Sequence, residues 1–222
     1  IRCVMFASNA SKLGFPLHNG DSVIVQAKTS VFEAQGQLQL YIQKIQPSGL
    51  GALFLKLEEL KKKLNEEGLF AVERKKKLPL YPMRIGLITG NSTAAKRDVL
   101  STIARRWPLA EILEFDALVQ GEKAYLTIID ALDKADNAAL DVLLLVRGGG
   151  SLEDLWNFNE EALVRAIADL KTPVVTGVGH ETDTTLVDYV ADQRAATPTA
   201  AAELVTPDIH DVAKHLKQYQ AT

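Results

Sequence analysis

From Arg84 onward the sequence repeats one pattern: a short apolar run, a loop of small and polar residues, then a segment of helical period. Residues 85–89 (IGLIT), 111–115 (EILEF), 141–146 (DVLLLV) and 173–176 (PVVT) read as strands. Residues 92–107, 122–135, 160–170, 182–191 and 199–205 read as helices. Four strands alternating with helices leave few folds open. The expected class is α/β, with a parallel doubly wound sheet. Such sheets take ligands beyond the carboxyl ends of their strands. The segments placed there are Gly90–Asp98, Arg147–Asp154 and Gly177–Asp183.

The first third follows another period. Residues 22–29 alternate, with Val23, Val25 and Ala27 on one face and Ile24, Gln26 and Lys28 on the other. Residues 37–45 set Leu38, Leu40 and Ile42 against Gln39, Tyr41 and Gln43, and Gly36 marks the turn between the two runs. The pattern reads as a small antiparallel sheet or a partial OB-type β barrel whose first strands are missing. Leu53, Leu57, Leu60 and Leu64 then recur at helical spacing up to Gly68. A basic run, Arg74-Lys75-Lys76-Lys77, follows before Pro79 and Pro82, as a solvated connector or as a contact for a phosphate backbone. Ile209, Val212, Leu216 and Tyr219 mark an amphipathic, coiled-coil-like helix after Pro207. The expected organisation is an OB-type module at 1–48, a helix and basic linker at 49–82, the α/β domain at 83–206, and the start of a further helix at 207–222. The chain begins at Ile1 in what reads as mid-strand and is expected to be a fragment.

Composition excludes several classes. A net charge of -3 gives no global attraction to nucleic acid or anionic membrane, so any such partner is held by local patches. One cysteine, Cys3, excludes an internal disulfide framework and fits a reducing compartment. No run approaches the ~18 apolar residues of a membrane span.

The chemistry concentrates after the third strand of the α/β pattern, in Arg147-Gly148-Gly149-Gly150-Ser151. Three glycines expose backbone N–H groups and let a bulky anion approach the main chain. Arg147 adds a planar, permanently charged fork suited to phosphate. Residues 90–97 (GNSTAAKR) resemble a P-loop but carry Ala95 and Arg97 at the second glycine and hydroxyl positions, which argues against an NTPase. Residues 177–182 (GVGHET) lack the last glycine of a dinucleotide fingerprint. His180 and Asp183, three apart, suit a proton-moving histidine with a carboxylate beside it, and Asp98 could face the same cleft. Ser151 and Asp154 fit a helix-capping box. Trp156 and Phe158 are expected to pack beneath the loop, with base stacking as the other reading. Arginine, histidine and two aspartates at strand ends suit phosphodiester hydrolysis. Either His180 carries the proton transfers, or Asp98 and Asp183 hold a divalent metal that activates water. A non-catalytic single-stranded nucleic-acid-binding or scaffold module is the competing reading.

Residues 147–159 (RGGGSLEDLWNFN), 177–183 (GVGHETD) and 194–203 (RAATPTAAAE), with 119–121 (VQG) and 94–98, resemble the exodeoxyribonuclease VII large-subunit family. The N-terminal β region and the helix after it are similar to that family's OB domain and connector. The sequence departs from the family's usual pattern at residues 90–93 and at Ala196. The resemblance implies an exonuclease that degrades single-stranded DNA into oligonucleotides, acting in DNA repair in the bacterial cytoplasm. It implies several copies of a small subunit docked on a long helical extension. It places the catalytic roles on Asp98, Arg147, His180 and Asp183; the loop chemistry itself assigns phosphate binding to Gly148, Gly149, Gly150 and Ser151. No cofactor is expected to be required; Mg2+ would be held by Asp98 and Asp183 if one is used.

Overall fold

A computed structural model of the chain describes residues 2–11, 13, 17–32, 37–47, 50–91, 93–148, 155–178 and 184–220. The chain divides into two units, Ile1–Lys62 and Lys63–Thr222.

The first unit holds strand β1 (Arg2–Met5), the short helix α1 (Ala7–Ala10), and strands β2 (Val23–Phe32) and β3 (Gln37–Pro47). Helix α2 (Leu50–Glu66) begins in this unit and ends in the next. The sheet order is β1-β3-β2, with β2 antiparallel to β3 but β1 parallel to it. The sheet is therefore mixed, where alternation alone suggested an antiparallel one. Gln26 pairs with Lys44 and Ala27 with Ile42, which leaves Gln43 as an extra residue. Such a bulge shifts the side-chain alternation by one. Ile42 and Ile45, three apart, are consequently both buried.

The second unit is built on strands β4 (Arg84–Thr89), β5 (Glu111–Asp116), β6 (Val142–Val146), β7 (Val174–Gly177) and β8 (Gln193–Arg194). They form one sheet in the order β5-β4-β6-β7-β8, with every neighbouring pair parallel. Helices α3 (Ala94–Arg106), α4 (Ala124–Asp136), α5 (Glu161–Asp169), α6 (Leu186–Val190), α7 (Pro198–Val205) and α8 (Ile209–Gln220) complete the unit. Ile85, Leu87, Ile88 and Leu143–Val146 are essentially inaccessible, because helices cover both faces of a parallel sheet. That is why these strands read as unbroken apolar runs. β8 was not legible in this way: its two residues are polar and owe their strand geometry to pairing with Val175 and Thr176.

One face packs under α3 and α7. Val99, Ile103, Ala201, Ala202 and Val205 form a continuous core with Ile85, Leu87, Val142, Leu144, Val146 and Val175. Helix α4 links β5 to β6 across β4, and its buried Ile128, Ala131 and Leu132 take no part in that core, as a right-handed crossover on the opposite face requires. Helix starts are capped as their sequences dictate. The Thr93 hydroxyl accepts from the Lys96 N–H at 3.1 Å, and Thr197, before Pro198, accepts from Ala200 at 3.1 Å. The expected box at Ser151 and Asp154 lies outside the described residues; the box present is Thr185 with Asp188, starting α6. A Cβ on Gly177 would lie 3.0 Å from the Thr197 carbonyl oxygen, so α7 approaches β7 at this one glycine.

Three residues of the basic run, Arg74, Lys75 and Lys76, are held by partners in the second unit. The Lys75 ammonium donates to the Tyr189 carbonyl at 2.6 Å and to that of Ala191, at the end of α6. Partial burial holds it below the usual lysine range, against the opposing pull of Asp192. The Lys76 N–H donates to Asp192 at 2.6 Å, and Arg74 reaches the Ala168 carbonyl at 3.2 Å near the end of α5. Cations at helix carboxyl ends are stabilised by the dipole, so this run anchors the linker. Among the described residues no helix is long and apolar enough to cross a membrane.

Asp136, the last residue of α4, fixes the turn before β7. It accepts from the Thr172 N–H at 2.9 Å, the Thr172 hydroxyl at 2.8 Å and the Lys171 N–H at 3.0 Å. Burial opposes its ionisation, but these bonds prevail and hold the carboxyl below the usual aspartate range. A carboxyl lowered by folding adds stability above its unfolded pKa, and that stability is lost as pH falls through the folded value. Asp136→Asn is therefore expected to lower the urea midpoint at pH 7. The gap from wild type should close below about pH 4, the ordinary aspartate value. A gap independent of pH would contradict this.

Candidate active site

The chain enters the sheet at β4, steps aside to β5, then crosses back to β6, β7 and β8. The direction of winding reverses between β4 and β6. Open parallel sheets bind ligands at this reversal, in the crevice beyond the carboxyl ends of the strands. Two of the segments singled out by sequence meet here. β4 runs into the 90–98 segment, and β6 runs into Arg147 and the glycines.

Arg147 lies directly past β6 and is only 4% exposed. Its backbone N–H donates to the Gly177 carbonyl at 3.1 Å, which extends the ladder and sets the ends of β6 and β7 side by side. Enclosing a guanidinium is costly unless acceptors surround it, so arginine at this depth is a demanding choice for a strand end. Gly148 is partly buried, and a Cβ on it would sit 3.4 Å from the Ala95 Cβ. The glycine backbone thus rests against the first turn of α3, three residues before Asp98. Asp98 is exposed, between the buried Ala95 and Val99. The structure therefore brings Gly148 and the start of α3 together at the carboxyl edge of the sheet, with Arg147 one residue before that contact. Gly149, Gly150, Ser151, His180 and Asp183 lie outside the described residues. Val178 and Thr185, on either side of the 179–183 segment, are both 3% exposed.

The electrostatics separate two neighbouring regions. Lys96, in the first turn of α3, is ion-paired with Glu114, and with Asp116 at 3.5 Å. The hydrogen bond to Glu114 chiefly raises its pKa. Its charge is thus directed to β5, not to the crevice, consistent with the departure of residues 90–97 from a P-loop. A cavity of about 460 Å3 beyond β5 is lined by Asn91, Asp116, Leu118, Leu126, Thr127 and Asp130. Its two carboxylates disfavour a phosphate there. At the end of β4, the buried Thr89 hydroxyl has no hydrogen-bond partner among the described residues.

Several residues that organise the crevice were not recognised from sequence. Asn157 donates to the Gly121 carbonyl at 3.0 Å and accepts from the Tyr125 N–H at 3.2 Å, tying down the loop into α4. Gly121 there has a φ of 95°, a conformation that favours glycine. Asn159 accepts from the Leu186 N–H at 2.8 Å, at the first residue of α6. Phe158 is fully buried, as the packing reading of Trp156 and Phe158 expects, while Trp156 is partly exposed. Asp188, whose side chain is 0% exposed, accepts from the Thr176 hydroxyl at 2.7 Å, the Thr185 N–H at 2.8 Å and the Thr185 hydroxyl at 2.9 Å. Arg194 lies beside it, its Nε 3.8 Å from the carboxylate. Thr185 three residues before Asp188 was a legible capping signal. The asparagines carried no such local signal, because their partners are distant in sequence.

The profile of the family described as "Exonuclease VII, large subunit" matches residues 69–222, and that of "OB-fold nucleic acid binding domain" matches residues 1–46. Exodeoxyribonuclease 7 large subunits of Staphylococcus aureus strains Newman and USA300 / TCH1516 are each 51% identical over 222 residues. The alignment covers 100% of this chain and 50% of each relative, so the chain spans half the length of the curated relatives it matches. Among solved structures, a proposed sugar-phosphate isomerase from Listeria monocytogenes covers 77% of this chain and 93% of its own. Its TM-score of 0.31 and 14% identity are too low to carry an argument.

Proposed function

Since the chain belongs to the exonuclease VII large-subunit family, we propose that it forms the part of such a subunit that hydrolyses phosphodiester bonds in single-stranded DNA. The observation that supports this most directly is the enclosed Arg147 at the reversal point of the sheet, held to Gly177 through its backbone and followed by Gly148 against the first turn of α3. Arg147 and the N–H groups of Gly148, Gly149, Gly150 and Ser151 hold the charge that develops on the phosphoryl oxygens. His180 takes the proton of the attacking water and returns one to the departing sugar oxygen. Asp183 or Asp98 orients the imidazole or the water. The same two carboxylates are the ligands for Mg2+ if hydrolysis uses it. The partner proposed for the full-length protein is the small subunit, in several copies, on the helical region that begins with α8. The enzyme is proposed to work in the cytoplasm, in DNA repair.

Cleavage with excess chelator, in the full-length protein with its small subunit, tests the role of His180. Cleavage that survives chelation but falls with His180→Ala supports the histidine-centred mechanism. Loss on chelation reassigns Asp98 and Asp183 as metal ligands.

The first unit supplies a route for the strand. Phe6 is 57% exposed and stacks on Tyr41, with ring centroids 5.4 Å apart. An exposed aromatic ring on an OB-type sheet is a platform for a base, worth about 1–3 kcal/mol. Phe6→Ala is expected to weaken single-stranded DNA binding by that amount, measured by anisotropy in the full-length protein. An unchanged Kd would remove Phe6 from the binding path.

A further inference from the structure

We propose that Arg194 is a second phosphate-binding arginine of the crevice, positioned by the buried carboxylate of Asp188. This rests on the reading of the site as one that binds single-stranded DNA.

The placement follows from the sheet. Val146 and Val175 face the core under α3 and α7, so their neighbours Arg147 and Thr176 face the other side. Thr176 shows this directly, since its hydroxyl reaches Asp188 on α6. Arg194 is paired with Thr176 in register and shares its face. Arg147 continues the β6 ladder through Gly177, one step past Val146. The two arginines thus flank β7 on one face of the sheet, both at its carboxyl edge. Strand spacing of ~4.8 Å and a rise of ~3.3 Å per residue put their Cα atoms roughly 12 Å apart. Two extended arginine side chains can close that span onto one phosphodiester or two successive ones.

The chemistry of the pair points the same way. Asp188 already accepts three hydrogen bonds from Thr176 and Thr185, at 2.7–2.9 Å. The contact with Arg194, at 3.8 Å, is longer than a hydrogen bond. The carboxylate therefore acts on the arginine mainly as a fixed counter-charge. It holds the Nε end of the side chain while the side chain remains 29% exposed. A lysine would neutralise Asp188 equally well; the planar fork of arginine is what a phosphate recognises.

The test compares Arg194→Lys and the double variant Asp188→Asn/Arg194→Gln in the full-length protein with its small subunit. The substrate is end-labelled single-stranded DNA, with a phosphorothioate oligonucleotide of the same sequence for equilibrium binding. Arg194→Lys keeps the charge beside Asp188 and should melt within a few degrees of wild type. Its KM should rise roughly 10–100-fold, the loss of a charged hydrogen-bonding contact, with a smaller change in kcat. The double variant removes both charges together, and its plot of log Kd against log salt should flatten by about 0.7. A wild-type KM in Arg194→Lys, an unchanged salt slope in the double variant, or failure of Arg194→Lys to fold would each overturn the proposal. Failure to fold would mean that arginine serves the buried carboxylate alone. If the wild-type protein neither binds nor cuts the strand, the functional reading itself fails, an outcome visible before any variant is made.

Discussion

Arg147→Ala is expected to reduce cleavage of single-stranded DNA by about 10²–10³-fold or more, the loss seen when a donor to a developing oxyanion is removed. The loss should fall mainly on kcat, because this contact strengthens as charge builds on the phosphoryl oxygens. Arg147 is 4% exposed, so truncation also opens space beside the β6–β7 ladder. Thermal melting must therefore accompany the kinetics. Arg147→Lys separates the two effects, since it retains charge and most of the volume but loses the fork. A lysine variant that melts normally and has low kcat places the effect in the chemistry. A lysine variant with full activity would show that any cation at the crevice suffices. Near wild-type cleavage by the alanine variant would remove Arg147 from the mechanism altogether.

Asp188→Ala is expected to be the most destabilising single change in the second unit. It leaves the Thr176 hydroxyl and the Thr185 N–H and hydroxyl without their acceptor, and Arg194 without its counter-charge. Removing one partner of a buried, hydrogen-bonded charge costs about 3–5 kcal/mol. For a unit of this size each kcal/mol corresponds to roughly 2–4 °C, so melting should fall by about 10 °C or more. Asp188→Asn should cost less, since an amide can still accept from one threonine while its NH2 group faces the other donors. A Tm within two or three degrees of wild type for the alanine variant would show that water replaces the network.

The contrast between these residues explains what the sequence disclosed. β4, β6 and β7 were legible because a parallel sheet covered on both faces requires unbroken apolar runs. Arg147 was legible because a charge and three glycines interrupt such a run where a strand must end. Asp188 and Arg194 were not singled out, although Thr185-Leu186-Val187-Asp188 carries a capping signal. Their importance arises from the register of β8 on β7, and a two-residue strand leaves no pattern. The basic run misled for a related reason: Lys75 and Lys76 look like free cations, but their partners, Tyr189, Ala191 and Asp192, are over a hundred residues away. In the first unit, strict alternation failed at Gln43, where one extra residue turns the strand over. The apolar runs and the strand-end arginine are local in sequence, whereas the lysine anchors, the register of β8 and the bulge depend on partners distant in the chain.

The crevice between β4 and β6 is proposed as a site for phosphodiester hydrolysis, and product analysis tests that claim most directly. The measurement is the length distribution of end-labelled single-stranded DNA after incubation with the full-length protein and its small subunit, beside a matched duplex. Progressive shortening of the single strand to oligonucleotides, with the duplex spared, is the predicted result. Single strands that are bound with steep salt dependence yet recovered at full length would contradict it. The crevice would then be a binding surface that grips phosphate without cutting.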